Sequence, residues 1–207
     1  MILVIDNFIK DKSLLNRIAG DITFFSDPGV YYWYPGWWSE DANTVKKELI
    51  ELIWGEQCPI NKSYNISGFE YWTGIQSAND SNFKNNLGMH IDKDESHFEK
   101  TGELVTPIIG TIYYPEQEEF EGGMLEIYTN GTDQAPERIY AKPNRLIIFG
   151  AGDVHHRVDT VISGTRKAIA INLWDSAPSD ATNNKFKREI VPAMRPVKPI
   201  SNQGTIG

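Results

Sequence analysis

Apolar positions change their period near residue 68, and that change divides the chain into an opening part with helices and a longer part built of short strands. Ile2 to Ile5 read as a short apolar strand. From about Asp11 to Ile18, Leu14, Leu15 and Ile18 share one helical face, with Asp11 able to cap the first turn and Gly20 to end the helix. A second helix is predicted from about Asn43 to Trp54. Val45, Leu49, Leu52 and Ile53 form its apolar face, Lys46, Lys47, Glu48 and Glu51 its polar one, and Gly55 follows. Between the helices, Tyr31 to Trp38 holds six aromatics in eight residues. Rings bury much area, so this run reads as core or as a lid over a helix, with the lining of a substrate cleft as the alternative.

Beyond Gly68 the segments are short and separated by turn residues. The predicted strands are Gly68 to Thr73, Gly88 to Asp92, Thr106 to Tyr114, Met124 to Tyr128, Arg138 to Tyr140, Arg145 to Phe149, His155 to Val158 and Arg166 to Trp174. Gly122-Gly123, Asn130-Gly131, Pro143-Asn144, Gly150-Ala151-Gly152 and Ser163-Gly164 punctuate them. Strands in succession without intervening helices predict a sandwich or jelly roll rather than βαβ units. Residues 176 to 207 lose all periodicity and read as an irregular tail.

Composition narrows the function classes. With 207 residues, 40% hydrophobic and 23% charged, the chain suits one globular domain. Apolar stretches such as Leu146 to Phe149 fall far short of the roughly 20 residues that cross a bilayer, so no membrane partner is expected. Met1 to Asp6 lacks the basic start and cleavage site of a signal peptide, which makes the cytosol the expected compartment. Cys58 is the sole cysteine, excluding an internal disulfide and any CxxC zinc site, so a bound metal needs nitrogen and oxygen ligands. A net charge of −8 opposes a nucleic-acid partner.

Four histidines, His90, His97, His155 and His156, carry the candidate chemistry. In Met89-His-Ile-Asp92 an extended backbone projects His90 and Asp92 to one side, offering an imidazole nitrogen and a carboxylate oxygen to one ion. A third ligand is available where His155 and His156 follow an apolar strand and a glycine-rich turn. Two histidines and one carboxylate make the facial triad of non-haem Fe(II) oxygenases, which leaves coordination positions open. Ten residues after His156, Arg166 opens an apolar strand. A hairpin at Ser163-Gly164 is expected to set it near His156 on a neighbouring strand. A buried guanidinium needs a partner and matches a carboxylate with two parallel hydrogen bonds, so a dicarboxylate suits it; pairing with a surface acid is the plainer alternative.

The order His90-x-Asp92, His156, Arg166 resembles the 2-oxoglutarate and Fe(II)-dependent dioxygenases of the prolyl hydroxylase type. Val4 to Phe8, Thr111 to Tyr114, Gly122 to Ile127, Asn144 to Phe149 and His156-Arg-Val158 are similar to successive segments of that family. The resemblance implies a double-stranded β-helix, a cupin-like jelly roll with packing helices. The implied single domain covers 1–175, with N-terminal support over about 1–66, the core over about 67–175 and the tail at 176–207.

It also implies Fe(II) held by His90, Asp92 and His156, and 2-oxoglutarate held through its distal carboxylate by Arg166. Tyr114, Ile112 and Leu125 line the co-substrate pocket, O2 is consumed, and ascorbate is a candidate reductant. By the resemblance, the family's spacing from histidine to arginine selects His156 over His155, while His97 falls in a polar loop and is expected to be solvated. Asp92 favours hydroxylation, since related halogenases replace that carboxylate by a small residue.

Asn172 stands where the family commonly has tryptophan, which implies either a shifted strand or a more polar pocket. Gly74 to Asn86 is a long polar loop that blurs the tyrosine expected there, with Tyr71 as a candidate. The implied activity is hydroxylation of a C–H bond in a peptidyl proline or related amino acid, with peptide, protein or small molecule as partner. Alternatives are a free amino-acid or small-molecule hydroxylase and a non-catalytic jelly-roll binding module. Nucleic-acid demethylation would require a second arginine at position 172.

Overall fold

The computed structural model describes residues 1–35, 44–54, 66–115, 118–179 and 181. Trp37, Trp38, Cys58, the expected helix boundaries at Asn43 and Gly55, and the tail beyond residue 181 lie outside the described residues. The first helix, α1 (Lys12–Gly20), begins where Asp11 accepts a hydrogen bond from the Ser13 backbone N–H at 2.7 Å, and it buries Leu14 and Ile18. The second, α2 (Val45–Trp54), buries Leu49, Ile50, Ile53 and Trp54. Its buried face is thus rotated toward Ile50 and Trp54, with Val45 and Leu52 at its margin. Among the described residues no helix is long and apolar enough to cross a membrane.

Among the described residues, twelve strands follow the helices or flank them. A six-stranded antiparallel sheet holds, in spatial order, β1 (Ile2–Asp6), β9 (Arg145–Phe149), β5 (Ile109–Tyr114), β12 (Thr165–Trp174), β3 (Gly68–Ser77) and β2 (Tyr32–Tyr34). A four-stranded sheet holds β4 (Leu87–His90), β10 (His155–Val158), β7 (Leu125–Tyr128) and β8 (Glu137–Ile139). A small ribbon joins β6 (Glu121–Gly122) to β11 (Val161–Ser163). This is the double-stranded β-helix.

The large sheet has two different faces because side chains alternate along each strand. Phe69 and Tyr71 of β3 and Ile169, Ile171 and Leu173 of β12 share a core with α1 and α2. The opposite face meets the small sheet, where Tyr114, Leu125, Ile127, Ile139, Ile147 and Phe149 form a second core.

Several boundaries differ from the sequence reading. The expected strand at Ile2 to Ile5 is present as β1, but the aromatic run also contributes a strand, β2, to the edge of the large sheet. Part of the expected polar loop, Gly74 to Ser77, continues β3, because each residue from Gly68 to Ser77 finds a partner on β12. The segment holding His97 is a helix, α3 (Glu95–Thr101). Asp94 accepts from the His97 backbone N–H at its start, and Gly102, at φ 75°, closes its end with a bond to the Phe98 carbonyl. Strand β4 stops at His90, so Asp92 lies beyond it rather than within it.

Candidate metal centre and its two clefts

His90 and His156 are directly opposite one another on antiparallel β4 and β10, with ring centroids 4.3 Å apart. Each ring is pinned at Nδ1. His90 Nδ1 lies 2.7 Å from the Gly88 carbonyl and His156 Nδ1 lies 3.1 Å from the Val154 carbonyl. A carbonyl only accepts, so Nδ1 carries the proton and Nε2 keeps its lone pair. Both Nε2 atoms face Asp92 Oδ1, at 3.4 Å from His90 and 3.5 Å from His156. His156 is nearly fully buried, whereas His155, one residue earlier on the strand, points outward and is exposed.

Asp92 reaches this position although it is off the strand. Its backbone N–H donates to the Ala151 carbonyl at 2.9 Å, within the glycine-rich turn that follows β9. That turn approaches because Gly110 has no side chain; a Cβ there would stand 2.3 Å from the Ala151 Cβ. On its other side, Asp92 Oδ2 accepts from the Asn172 amide at 2.9 Å. Burial alone would raise the Asp92 carboxyl, yet His156 and then His90 hold it well below the usual carboxylate range. For His90, burial works against the proton but the Asp92 carboxylate outweighs it and moves the imidazole upward.

One ligand atom from each of His90, Asp92 and His156 lies within 4.8 Å of the others, and this is a nitrogen and oxygen set suited to iron(II). Two tautomer-locked imidazoles and a carboxylate oriented by an amide also satisfy what such an ion asks of its surroundings.

Arg166 is 1% exposed. Its Nη1 donates to Gln76 Oε1 at 2.6 Å and its Nη2 to the Tyr114 hydroxyl at 2.8 Å. Nε has no hydrogen-bond partner, and no carboxylate pairs with the group among the described residues. Pairing with a surface acid is therefore not its role in this fold. Nor do His156 and Arg166 sit on neighbouring strands. The Ser163-Gly164 turn joins β11 to β12, which places Arg166 on the large sheet while His156 stays on the small one. The two face each other across the interior and line one narrow cleft with Ile112 and Leu125.

A second cleft, of about 350 Å³, opens on the other side of His90, Asp92 and Asn172, which line both. Tyr31, Trp33 and Glu70 wall it. The aromatic run is split by strand alternation. Tyr32 and Tyr34 lie against Tyr71, at 6.4 and 6.2 Å between centroids, whereas Trp33 faces the cleft. Tyr71 itself belongs to the core under the helices and does not reach either cleft. Burial first, and the Asp92 charge second, push Glu70 up to about 7.

Asn172 brings a polar amide to the lining of both clefts. Strand β12 pairs with β3 and β5 without a bulge. Trp33 belongs to the aromatic run whose alternative reading was a cleft lining, whereas Gln76 and Glu70 were not singled out from the sequence. Their signal was weak: polar residues at alternate positions of β3, legible only once β3 is known to run beside Arg166.

A profile described as the 2OG-Fe(II) oxygenase superfamily matches residues 77–174. Among solved structures, 158 chains match. A Pseudomonas putida prolyl-4-hydroxylase is similar with a TM-score of 0.53 and 14% identity, over 85% of this chain and 88% of that one. The viral collagen prolyl hydroxylase of Paramecium Bursaria Chlorella virus-1, in its 2OG complex, gives 0.50 and 16% over 85% and 96%. IDO from Bacillus thuringiensis gives 0.50 and 16% over 84% and 92%. No curated protein matches. At these identities the structural likeness speaks of the fold.

Proposed function

With residues 77–174 a domain of the 2OG-Fe(II) oxygenase superfamily, and the chain accordingly a dioxygenase that uses Fe(II), 2-oxoglutarate and O2, we propose that it hydroxylates a C–H bond of an amino-acid substrate, a peptidyl proline first among the candidates. In this reading His90, Asp92 and His156 hold the iron. Arg166 and Tyr114 receive the distal carboxylate of 2-oxoglutarate, and Ile112 and Leu125 wall its carbon chain. The observation that carries the reading is the convergence of three ligand atoms beside a buried guanidinium whose partners are all neutral.

Iron, once held, supplies with 2-oxoglutarate and O2 the oxidising power for the C–H bond. The chain does the rest. The Gly88 and Val154 carbonyls fix the imidazoles, and Asn172 and the Ala151 carbonyl fix Asp92. Gln76 and the Tyr114 hydroxyl hold Arg166 in a water-poor cleft, where a carboxylate gains most from a charge-assisted pair. The prolyl hydroxylase neighbours support peptidyl proline as substrate. A second reading, a free amino acid, is favoured by the second cleft, whose roughly 350 Å³ lies at the small end of the range of ligand pockets.

The test incubates the full chain with Fe(II), 2-oxoglutarate and O2, adding a proline-repeat peptide in one arm and free L-proline in another. Fe(II)-dependent succinate and a product one oxygen heavier are expected. Absence of any Fe(II)-dependent loss of 2-oxoglutarate would overturn the oxygenase assignment of this site. Loss of 2-oxoglutarate with unmodified proline in both arms would overturn the proline assignment alone.

A further inference from the structure

Three adjacent strands place Trp33, Glu70 and Asn172 in one row, because Trp33 is the register partner of Glu70 on β3, and Glu70 is the partner of Asn172 on β12. The row leads from the wall of the second cleft to the metal ligand. The Asn172 amide nitrogen lies 2.9 Å from Asp92 Oδ2 and 3.5 Å from Glu70 Oε2, so a single side chain separates Glu70 from the candidate iron site. Trp33 is held in place by close packing. Its indole lies against Gly68, where a Cβ would come within 2.5 Å of the ring. Tyr31, with its ring 5.8 Å from that of Trp72, adds a further aromatic surface.

Each acid lining this cleft other than Glu70 holds a hydrogen bond or ion pair of 2.9 Å or less. Asp92 belongs to the metal centre. Asp94 is engaged with the backbone N–H groups of His97 and Ser179. Lys93 and Glu95 neutralise each other at 2.7 Å. Glu70 is left with a neutral amide, and among the described residues no cation pairs with it. A carboxylate half-buried between aromatic surfaces, with no counter-charge, is an arrangement that recognises cations: the acid supplies charge and the ring faces supply cation–π attraction. Because Arg166 occupies the other cleft, the dicarboxylate and this cation would approach the metal from opposite sides.

Building on the oxygenase reading above, we propose that the primary substrate carries an ammonium or guanidinium group, which Glu70 and Trp33 bind while the C–H bond to be hydroxylated lies at the metal. Glu70 is then the residue that determines specificity. Two sources share this chemistry: a basic side chain in a peptide, or the α-ammonium of a free amino acid.

Titration calorimetry of the full chain loaded with Zn(II) and 2-oxoglutarate, where nothing turns over, tests it. One arm compares acetyl-Lys-Pro-Gly-amide with the same peptide carrying norleucine for lysine. The other compares L-proline with N-acetyl-L-proline. In at least one arm the cationic member is expected to bind about tenfold or more tightly, and Glu70→Gln to remove that preference while 2-oxoglutarate still binds. Equal or undetectable binding within both pairs overturns the inference, as does a preference that survives Glu70→Gln. Failure of the oxygenase reading is separate, since it would appear as absent 2-oxoglutarate binding in the unaltered protein before any substrate is added.

Discussion

Strand β12 in the six-stranded sheet is hydrogen-bonded on both sides, to β3 over all of its residues and to β5 over half of them, whereas β4 at the edge of the four-stranded sheet spans Leu87–His90 and keeps one neighbour. The residues these strands contribute differ in the same way. The large sheet supplies side chains that orient others: Arg166, Tyr114 and Gln76 at one end, Asn172 and Glu70 at the other. The small sheet supplies both imidazoles, and the third ligand comes from the segment just past its edge strand. A residue that must find one orientation under heavy packing belongs on a strand held from both sides. The ligands divide likewise: His156 sits buried on β10, which is paired on both sides, while His90 and Asp92 lie on and just past edge strand β4, where small molecules can reach the ion.

The sharpest way to break this division is at the margin. Asp92→Ala should take Fe(II)-dependent succinate formation to background, because it removes the only carboxylate of the triad, and assay of succinate against the unaltered chain checks it. Next in size is a test of the large sheet as scaffold. Ile147, fully buried on β9, should cost about 2–5 kcal/mol of unfolding free energy when changed to Ala, read by denaturant unfolding. Ile139 sits on short edge strand β8 and is partly reachable by water, so the same change there should cost less.

Arg166→Leu should leave metal binding in place and weaken 2-oxoglutarate about 10–100-fold, the worth of a charge-assisted pair. Calorimetry with Zn(II) present measures both. Arg166→Lys should recover only part of the loss, since an ammonium cannot present the planar fork that Gln76 and Tyr114 align.

The smallest effect expected is at the far edge of the large sheet. Hydrogen bonds from Arg145 and then Lys142 lower Asp6 on β1 to about 2. A folded-state value below the unfolded one means that its contribution is complete above about pH 4 and fades as pH falls toward 2. Asp6→Asn should therefore melt slightly earlier than the unaltered chain at neutral pH, and the two melting curves should draw together on acidification through that window.

Strands β9 and β10 were legible to the residue, because Arg145 to Phe149 is a short apolar run and His155 to Val158 alternates, each bounded by turn residues. Helix α3 was not legible: its apolar content is too slight for a period, and what holds it is the Asp94 cap and the Gly102 end. The rule that adjacent strand residues face opposite ways agrees with the outward position of His155 and the buried one of His156. The same rule misplaced Asp92, which the Ala151 carbonyl draws in from outside the strand.

From its sequence alone the chain determined which residue types were available for chemistry, the order His90, Asp92, His156, Arg166, and most strand and helix locations. These depend on spacing between near neighbours, which the covalent chain itself imposes. Tertiary structure decided that Arg166 faces His156 from the opposite sheet, that Asn172 reaches Asp92, and that Trp33 stands beside Glu70. Those meetings join residues far apart in the chain. Strand pairing and the burial of two separate cores select them, and no local period encodes which strands will become neighbours.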